Sequence, residues 1–267
     1  MPRVFLSPSV LEAGLNGEEF ELDYETAKKL TRVLRLTPGE TFIAFDGLGG
    51  EWECALTATE GEGSKKNVSA RAVILAEREP LPRGRLHLSV AQAIPKGDKM
   101  ELVLQKGTEL GVAEFWPIDA ERSVSKLHLE DDPERAATRT ERWRKIVAQA
   151  AAQCGRADVP IVHAICDFVT AVASGTNGSR CFMLDEQPEA EPLRVALQRE
   201  PLALESPQDE ARIMLLIGPE GGWTPREREW AERYGVEAVG LGRLILRTET
   251  AALVAAAILQ WQAGELG

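Results

Sequence analysis

The chain has 267 residues, of which 44% are hydrophobic and 27% charged, and its 31 basic and 42 acidic side chains give a net charge of −11. This composition excludes a wholly disordered chain, collagen and a disulfide-rich miniprotein, and it predicts a globular protein of one large or two ordinary domains. No apolar run reaches the roughly 18 residues of a membrane-spanning helix, and the first six residues are too short and too soon polar for a secretory signal. Taken as a total, the acidic charge argues against nucleic-acid binding, because proteins that bind nucleic acids are usually basic, but contacts to phosphates need only a local basic patch.

The negative charge is unevenly distributed along the chain. Residues 1–83 carry a net charge of −4, residues 84–156 of +1 and residues 157–267 of −8. Between residues 135 and 156, one acidic side chain, Glu141, stands among a group of basic ones: Arg135, Arg139, Arg142, Arg144, Lys145 and Arg156. A solvated helix face explains such a run as well as a phosphate-binding patch does, so both interpretations stay open at this point.

Residues 1–76 are predicted to form a small barrel. Apolar or alternating runs predict short strands at residues 3–6, 19–22, 41–45, 52–56 and 68–75. Glycine-rich turns at residues 46–50 and 61–64 indicate hairpins, and one helix is predicted over residues 24–34. Several short strands around one helix, in so short a segment, favour a barrel.

Strands and helices alternate over residues 85–267, after a proline-rich linker at residues 77–84. Strands are predicted at residues 86–93, 115–118, 180–184 and 212–217, and helices from about residue 98, over 133–153, from residue 224 and over 250–262. Residues 186–210, rich in proline and acid, predict a loop that carries a short helix. This alternation predicts an α/β domain with a mostly parallel sheet.

The sequence also indicates where two helices begin and which face of one helix is buried. Asp98 with Glu101, and Thr224 with Glu227, have the spacing of a capping box. In the helix over residues 133–153, a stripe predicted to be buried consists of Trp143, Ile146, Val147 and Ala150. A second stripe, which can face outward, consists of Arg135, Arg139 and Arg142.

Several common kinds of active site have no support. The chain contains no P-loop, no Rossmann glycine fingerprint, no HExxH and no GxSxG. His87, His128 and His163 are far apart, which favours structural or surface roles. The cysteines are widely spaced, which predicts reduced thiols in a cytoplasm and no metal site; they are Cys54, Cys154, Cys166 and Cys181.

One candidate ligand-binding loop follows the apolar strand at residues 212–217. Gly218-Pro219-Glu220-Gly221-Gly222 leads into the capped helix that starts at Thr224. Glycines after a strand let the backbone approach a ligand closely, and open α/β sheets bind ligands at the carboxyl ends of their strands. A tight turn without a ligand remains the alternative.

A second candidate loop lies at residues 239–251. It contains two glycines and then the polar run Arg247-Thr248-Glu249-Thr250, which opens an apolar helix. Burying these side chains would cost several kcal/mol unless they were paired or used in a site. A structural pair between Arg247 and Glu249 is the alternative to a functional role.

These two loops together resemble the SPOUT methyltransferase superfamily and, within it, the ribosomal RNA small-subunit methyltransferase E family. That family transfers a methyl group from S-adenosylmethionine to N3 of a uridine in 16S rRNA. Residues 96–112, 118–123 and 142–160 agree with the same family, and Arg3 with residues 32–35 and 45–47 resembles its PUA-like RNA-binding barrel. The resemblance covers nearly the whole chain and leaves out the loop at residues 186–210.

The resemblance implies an α/β-knot fold, with a C-terminal trefoil knot, a mostly parallel sheet and an N-terminal PUA-like β-barrel. It also implies a homodimer without membrane or metal, and S-adenosylmethionine held by two loops and a strand end. The implied cofactor-binding residues are Leu184, Ile217, Gly218, Pro219, Glu220, Gly221, Gly222, Leu241, Gly242, Leu244, Ile245, Leu246 and Thr250. The expected RNA-binding residues for 16S rRNA in the small subunit are Arg3, Arg32, Arg35, Arg135, Arg139, Arg142, Lys145 and Arg156.

Methylation of uracil N3 requires loss of the N3 proton, either to a general base or with a cation that stabilises the anion. Glu220 and Glu249 are candidates for the base or for orienting the cofactor, and Arg247 and Arg122 for stabilising charge. Three alternatives stay open: methylation of a ribose 2′-oxygen, a non-catalytic RNA-binding assembly factor, and an enzyme that acts on protein or small molecules.

Overall fold

The computed structural model describes residues 1–60, 68–123, 132–202, 204, 206 and 208–267. The chain divides into two compact units, the first made of residues 1–83 and 148–159 and the second of residues 84–147 and 160–267. The predicted turn at residues 61–64 and His128 lie outside the described residues. Among the helices of the described part, none is long and apolar enough to cross a membrane.

The first unit contains a five-stranded sheet. Its strands are β1 (Arg3–Phe5), β2 (Phe20–Glu21), β3 (Thr41–Phe45), β4 (Glu51–Glu60) and β5 (Ser69–Arg78), in the order β1-β3-β4-β5-β2. β1 and β3 are parallel, and the other neighbours are antiparallel. The predicted hairpin between β3 and β4 is confirmed, and Asp46 stabilises its turn by accepting hydrogen bonds from the backbone N–H groups of Leu48 and Gly50.

Two short helices pack with this sheet. They are α1 (Pro8–Gly14) and α2 (Tyr24–Lys28), and α2 continues into a π-helical turn at Lys29–Val33. Asp23 caps α2 by accepting the backbone N–H of Thr26 at 3.0 Å. The core between helices and sheet is apolar, with Leu11, Leu30, Phe42 and Leu56 almost fully buried.

The second unit contains a seven-stranded sheet in which every pairing is parallel, which confirms the predicted sheet type. Its order is β10-β12-β9-β11-β6-β7-β8. The strands are β6 (Leu86–Ala93), β7 (Glu114–Ile118), β8 (Ile161–Val162), β9 (Arg180–Leu184), β10 (Glu191–Pro192), β11 (Ala211–Ile217) and β12 (Glu237–Gly240). Long apolar strands such as β11 are typical of a parallel sheet covered on both faces.

The described part of the chain has six helices after β6, five of them between strands and the last one after β12. They are α3 (Lys99–Glu109), α4 (Pro133–Cys154), α5 (Phe168–Gly175), α6 (Leu193–Arg199), α7 (Pro225–Arg233) and α8 (Thr248–Gln262). The two stripes predicted on α4 differ in burial as expected, since Trp143 and Val147 are buried whereas Arg135 and Arg142 are exposed. The short helix predicted within residues 186–210 is α6.

The two predicted capping boxes have different outcomes. At α7, Thr224 Oγ1 accepts the N–H of Glu227, whose carboxylate accepts the N–H of Thr224 at 2.8 Å, so this box is confirmed. At α3, the Asp98 side chain caps nothing, and the predicted box is wrong. Glu101 instead forms an ion pair of 2.6 Å with Arg142, a partner that local spacing could not reveal.

Candidate functional site

A cavity of about 440 Å³ lies where the carboxyl ends of three neighbouring strands meet. Its walls come from residues 184–186 at the end of β9, residues 217–220 and 222–223 at the end of β11 and residues 241–248 after β12, together with Lys99 and Ala251. The two glycine loops singled out in the sequence therefore face one space. This is the edge at which open α/β sheets bind their ligands.

Trp223 holds the first glycine loop against the end of β9. Its indole Nε1 donates a hydrogen bond of 3.0 Å to the carbonyl oxygen of Leu184, and the ring is almost fully buried. Gly218 packs under this ring, because a Cβ at that position would lie 3.2 Å from the indole. Gly222 has a φ of +66°, a conformation that glycine adopts without strain. Both glycines are thus required by the shape of the loop.

Thr248 fixes the same loop from the start of α8. Its hydroxyl donates a hydrogen bond of 2.6 Å to the carbonyl oxygen of Gly218 and accepts one of 2.9 Å from Nε2 of Gln92. Gln92 is fully buried on β6. Sequence reasoning did not assign Gln92 to the site, although an amide within an otherwise apolar strand was an available signal.

Lys99, at the start of α3, bridges the two predicted acidic residues. Its Nζ lies 3.1 Å from Oε1 of Glu220 and 3.5 Å from Oε2 of Glu249. The hydrogen bond to Glu220 is the main reason that the pKa of Lys99 is raised, so Lys99 is a cation at neutral pH. The structural pair between Arg247 and Glu249, which was the alternative to a functional role, does not form: Glu249 is buried and faces Lys99, whereas Arg247 is exposed at the cavity wall.

Glu220 is held ionised by its surroundings. Partial burial alone would raise its pKa, but hydrogen bonds from its own N–H, from Lys99 and from the N–H of Lys96 outweigh burial and lower the pKa. A carboxylate with a lowered pKa is a weak base. Glu220 is therefore better suited to position Lys99 than to remove a proton.

Comparison with known proteins identifies this arrangement. The RNA methyltransferase domain family matches residues 82–260, and the RNA methyltransferase PUA domain family matches residues 30–66. The ribosomal RNA small subunit methyltransferase E of Bacillus subtilis is 32% identical over 244 residues, which cover 91% of this chain and 90% of that protein. The chain belongs to the ribosomal RNA small subunit methyltransferase E family.

Solved structures of similar proteins agree with this membership. The small subunit methyltransferase E from Neisseria gonorrhoeae, solved with bound S-adenosylmethionine, is 32% identical, with a TM-score of 0.75 and coverage of 98% of this chain and 97% of that one. A Legionella pneumophila protein solved in complex with the same cofactor is 28% identical, with a TM-score of 0.79 and the same coverage. The expected α/β fold with a PUA-like domain is thus confirmed.

Most of the cofactor-binding residues expected for a methyltransferase E line the cavity. They are Leu184, Ile217, Gly218, Pro219, Glu220, Gly222, Leu241, Gly242, Leu244, Ile245 and Leu246. Gly221 and Thr250 are absent from its walls. Residues that sequence reasoning had not assigned also line it: Lys99, Asp185, Glu186, Trp223, Arg243, Thr248 and Ala251.

Arg122 lies behind the first glycine loop and is absent from the cavity lining. Its guanidinium donates hydrogen bonds to the carbonyl oxygens of Gly221 at 3.1 Å and Trp223 at 3.4 Å. A Cβ on Gly221 would lie 3.1 Å from the Cβ of Arg122, so the two residues pack closely. In this structure Arg122 supports the loop backbone, which differs from the charge-stabilising role expected from the sequence.

Asp185 and Arg228 form a further contact at the cavity wall. Arg228 binds the carboxylate through two hydrogen bonds, Nε to Oδ2 at 2.6 Å and Nη2 to Oδ1 at 3.0 Å. The Asp185 side chain is almost fully buried. This pair joins the segment after β9 to α7, and it raises the pKa of Arg228.

The expected RNA-binding residues fall into separate groups. In the first unit, Arg3 forms an ion pair with Glu51 at 2.8 Å and Arg156 forms one with Asp158 at 2.6 Å. The side chains expected to bind RNA on or near the π-helical turn and on α4 are exposed or half-buried: Arg32, Arg35, Arg135, Arg139, Arg142 and Lys145.

Two histidines that the sequence treated as isolated share one carboxylate. Nε2 of His87 lies 2.8 Å from Oε1 of Glu114, and Nε2 of His163 lies 3.0 Å from Oε2. The hydrogen bonds from His163 and His87 hold the pKa of Glu114 well below its usual range. Two histidines that are far apart in the sequence are therefore brought to the same carboxylate. Among the described residues no group of His, Cys, Asp and Glu is arranged to hold a metal.

Proposed function

We propose that this chain transfers a methyl group from S-adenosylmethionine to N3 of a specific uridine in the decoding region of 16S rRNA. The observation that carries the proposal is the convergence of both family loops on one cavity, with Lys99, Glu220 and Arg247 at its walls. A methylated ribosomal RNA agrees with the family to which the chain belongs. The position of the methyl group on the base is an inference from the sequence resemblance.

The cavity suits the proposed cofactor. Its volume of about 440 Å³ lies within the range of small-molecule sites. Leu184, Ile217 and Leu246 offer apolar contact surface, while Gly218 and Gly242 let the backbone come close to a ligand. The bound cofactor would supply an electrophilic methyl carbon on a sulfonium.

The charges at the cavity favour stabilisation of a uracil anion over proton removal by a strong base. Uracil N3 carries a proton, which passes to solvent water as the uracil anion forms; N3 of the anion would then form the bond to the methyl carbon as the bond from that carbon to sulfur breaks. Because the pKa of Glu220 is lowered, its carboxylate gains little by accepting the proton. Lys99 and Arg247 place positive charge at the cavity walls, where either can face a carbonyl oxygen of the anion. We therefore assign charge stabilisation to Lys99 and Arg247.

The remaining features of the proposal concern the assembly. We infer domain boundaries at residues 1–76 and 85–267 with a linker at 77–84, a PUA-like barrel that docks RNA, a C-terminal knot, and a cytoplasmic homodimer. The RNA methyltransferase PUA match supports an RNA-docking role. Leu244 and Ile245 support the dimer, because they are apolar, line the cavity and are 82% and 80% exposed in the single chain.

The decisive experiment analyses the methylated product. Purified protein is incubated with S-adenosylmethionine and small subunits that lack the modification, and the RNA is digested and analysed by mass spectrometry. We expect 3-methyluridine at one position. A methyl group on a ribose 2′-oxygen would contradict the proposed position, and no cofactor binding in calorimetry would favour a non-catalytic assembly factor. Activity that survives removal of residues 1–76 would favour a substrate other than RNA.

A further inference from the structure

A second cavity lies in the second unit, between the turn before α3 and the basic face of α4. Its volume is about 280 Å³. One wall is formed by Gly97, Asp98, Met100 and Glu101, and the other by residues of α4 that include Arg135, Arg139, Arg142 and Trp143. We call this space the arginine pocket. The residues that form it are all described in the structure, and none belongs to the lining of the first cavity.

Among the described residues that line it, the arginine pocket has an excess of positive charge, with three arginines against the carboxylates of Asp98 and Glu101. Arg142 is paired with Glu101 at 2.6 Å. Arg139 lies with its guanidinium 4.9 Å from the centre of the Trp143 ring, and within the described part of the chain neither it nor Arg135 has an acidic partner. A guanidinium that stacks on an aromatic ring keeps its edge free for a planar or tetrahedral anion.

The arginines also repel one another. Burial, followed by the neighbouring positive charge of Arg135 and Arg142, lowers the pKa of Arg139, and Glu101 offsets this only in part. An anion between these side chains would relieve the repulsion. Arg forks bind phosphate oxygens through paired hydrogen bonds, so phosphate is the anion that the geometry suits best.

A single turn connects the arginine pocket to the first cavity. Lys99 lines the first cavity, whereas its neighbours Asp98 and Met100 line the arginine pocket. The N–H of Lys96 donates to Glu220 at 3.2 Å, which ties the same turn to the first glycine loop. A side chain at Gly97 would meet no atom within 4 Å, so the approach beside this turn is open.

We propose that the arginine pocket binds a backbone phosphate of the substrate RNA, next to the nucleotide that enters the first cavity. This proposal rests on the proposed function, because it takes RNA as the substrate. The RNA strand passes over residues 96–101, with the target base on the Lys99 side and a flanking phosphate between Arg135 and Arg139. The pocket thereby selects where along the strand the target base is placed.

The test compares charge variants in RNA binding and methyl transfer. Arg139→Gln removes the charge while keeping most of the side-chain stem on Trp143, and Arg135→Ala removes an exposed side chain. The control is Arg194→Ala on α6, which removes an equally exposed charge whose contact is with Gln198. Each protein is titrated with the same short RNA that spans the methylated site, at several salt concentrations, and its S-adenosylmethionine affinity is measured by calorimetry.

For each pocket variant we expect the slope of log Kd against log salt to fall by about 0.7, the value for one phosphate contact on a single strand. KM for RNA should rise about ten-fold while cofactor affinity stays within two-fold of the wild type. Arg139→Lys should restore part of the slope, because it restores the charge without the fork. The control should keep the wild-type slope.

An unchanged slope and KM in both pocket variants would overturn the inference. Equal losses of RNA and cofactor affinity would also overturn it, because they would indicate damage to the fold. The proposed function fails separately: if the wild-type protein methylates a different atom, the product analysis changes while the salt slopes still report on the arginine pocket.

Discussion

The hydroxyl of Thr248 donates a hydrogen bond of 2.6 Å to the carbonyl oxygen of Gly218, which lies 30 positions earlier in the chain. This bond joins the start of α8 to the first glycine loop, and Gln92 completes it from β6. The side chain of Thr248 therefore connects three segments of the chain: the first glycine loop, the start of α8 and β6. Its removal provides a direct test of how far the cavity is preorganised.

Thr248→Val should weaken cofactor binding and lower the free energy of unfolding. Valine has the shape of threonine but leaves the Gly218 carbonyl and the Gln92 amide without this partner, at a cost of about 1–3 kcal/mol for each buried group left unsatisfied. Urea unfolding and calorimetry measure the two effects. Thr248→Ser keeps the hydroxyl and should stay close to wild type; equal losses in both variants would mean that the methyl group matters more than the hydrogen bonds.

Lys99→Met should slow methyl transfer more than Glu220→Gln does. If Lys99 stabilises the uracil anion, its loss should lower kcat by about 10²–10³-fold, as removal of a charge-stabilising donor does in other enzymes. Single-turnover rates with saturating RNA measure this step. Lys106→Met on the same helix is the matched control, because Lys106 pairs with Glu109. The opposite order of effects would return Glu220 to the role of general base.

The same lysine variant should raise the pKa of Glu220. Lys99 is one of the groups that lower the pKa of Glu220, so removing it raises that pKa. Glu220 then becomes protonated at a higher pH as the solution is acidified. We expect an NMR titration of the Glu220 carboxyl group to give a higher pKa in Lys99→Met than in the wild type, and an unchanged pKa would mean that Lys99 does not hold Glu220 ionised.

Glu114 should make the second unit sensitive to acid. Its folded-state pKa is lowered by hydrogen bonds from His163 and His87, so its contribution to stability is present above the unfolded pKa of about 4.3. That contribution is lost as the pH falls below 4.3 toward the lower folded-state value. The Glu114→Gln variant lacks this carboxylate, so it should not show the part of the decrease in unfolding free energy that protonation of Glu114 causes. Unfolding free energies at pH 7 and pH 3.5 measure the difference, and parallel curves for the two proteins would count against the linkage.

Arg228→Met should be more harmful than the double variant Arg228→Met with Asp185→Asn. The single change leaves a buried carboxylate without its partner, which costs about 3–5 kcal/mol in comparable pairs. Neutralising Asp185 as well removes the uncompensated charge and should recover part of the loss. Denaturant unfolding of the two proteins gives the comparison. If both were equally unstable, packing of the Arg228 side chain would explain the loss.

Local sequence patterns predicted the bounds of helices and strands well. They predicted contacts between distant residues poorly. The bounds of β3, β6 and β9 agree with the apolar runs, and the Thr224 capping box forms as its spacing indicates. Alternation and periodicity report which face of an element is buried, so they also place α4 correctly. They carry no information about which strand becomes the neighbour of which.

The candidate site depends on that missing information. Lys99 meets Glu220 across 121 positions, and Gln92 meets Thr248 across 156. The false capping box at Asp98 has the same origin, because Glu101 has a distant arginine as its partner. Glycine loops at strand ends indicated where a ligand would bind, whereas the charged partners became visible only once the strand order was known.

The strand order has a consequence during synthesis. β11 lies between β6 and β9, and its first residue, Ala211, pairs with Leu86. β6 therefore leaves the translating ribosome long before its central neighbour exists. Pairing between segments so far apart is slow, and an apolar strand that waits for its neighbour is exposed to aggregation. The sheet of the second unit is therefore completed late in translation. Until then, the apolar surface of β6 must be covered by other contacts to avoid aggregation.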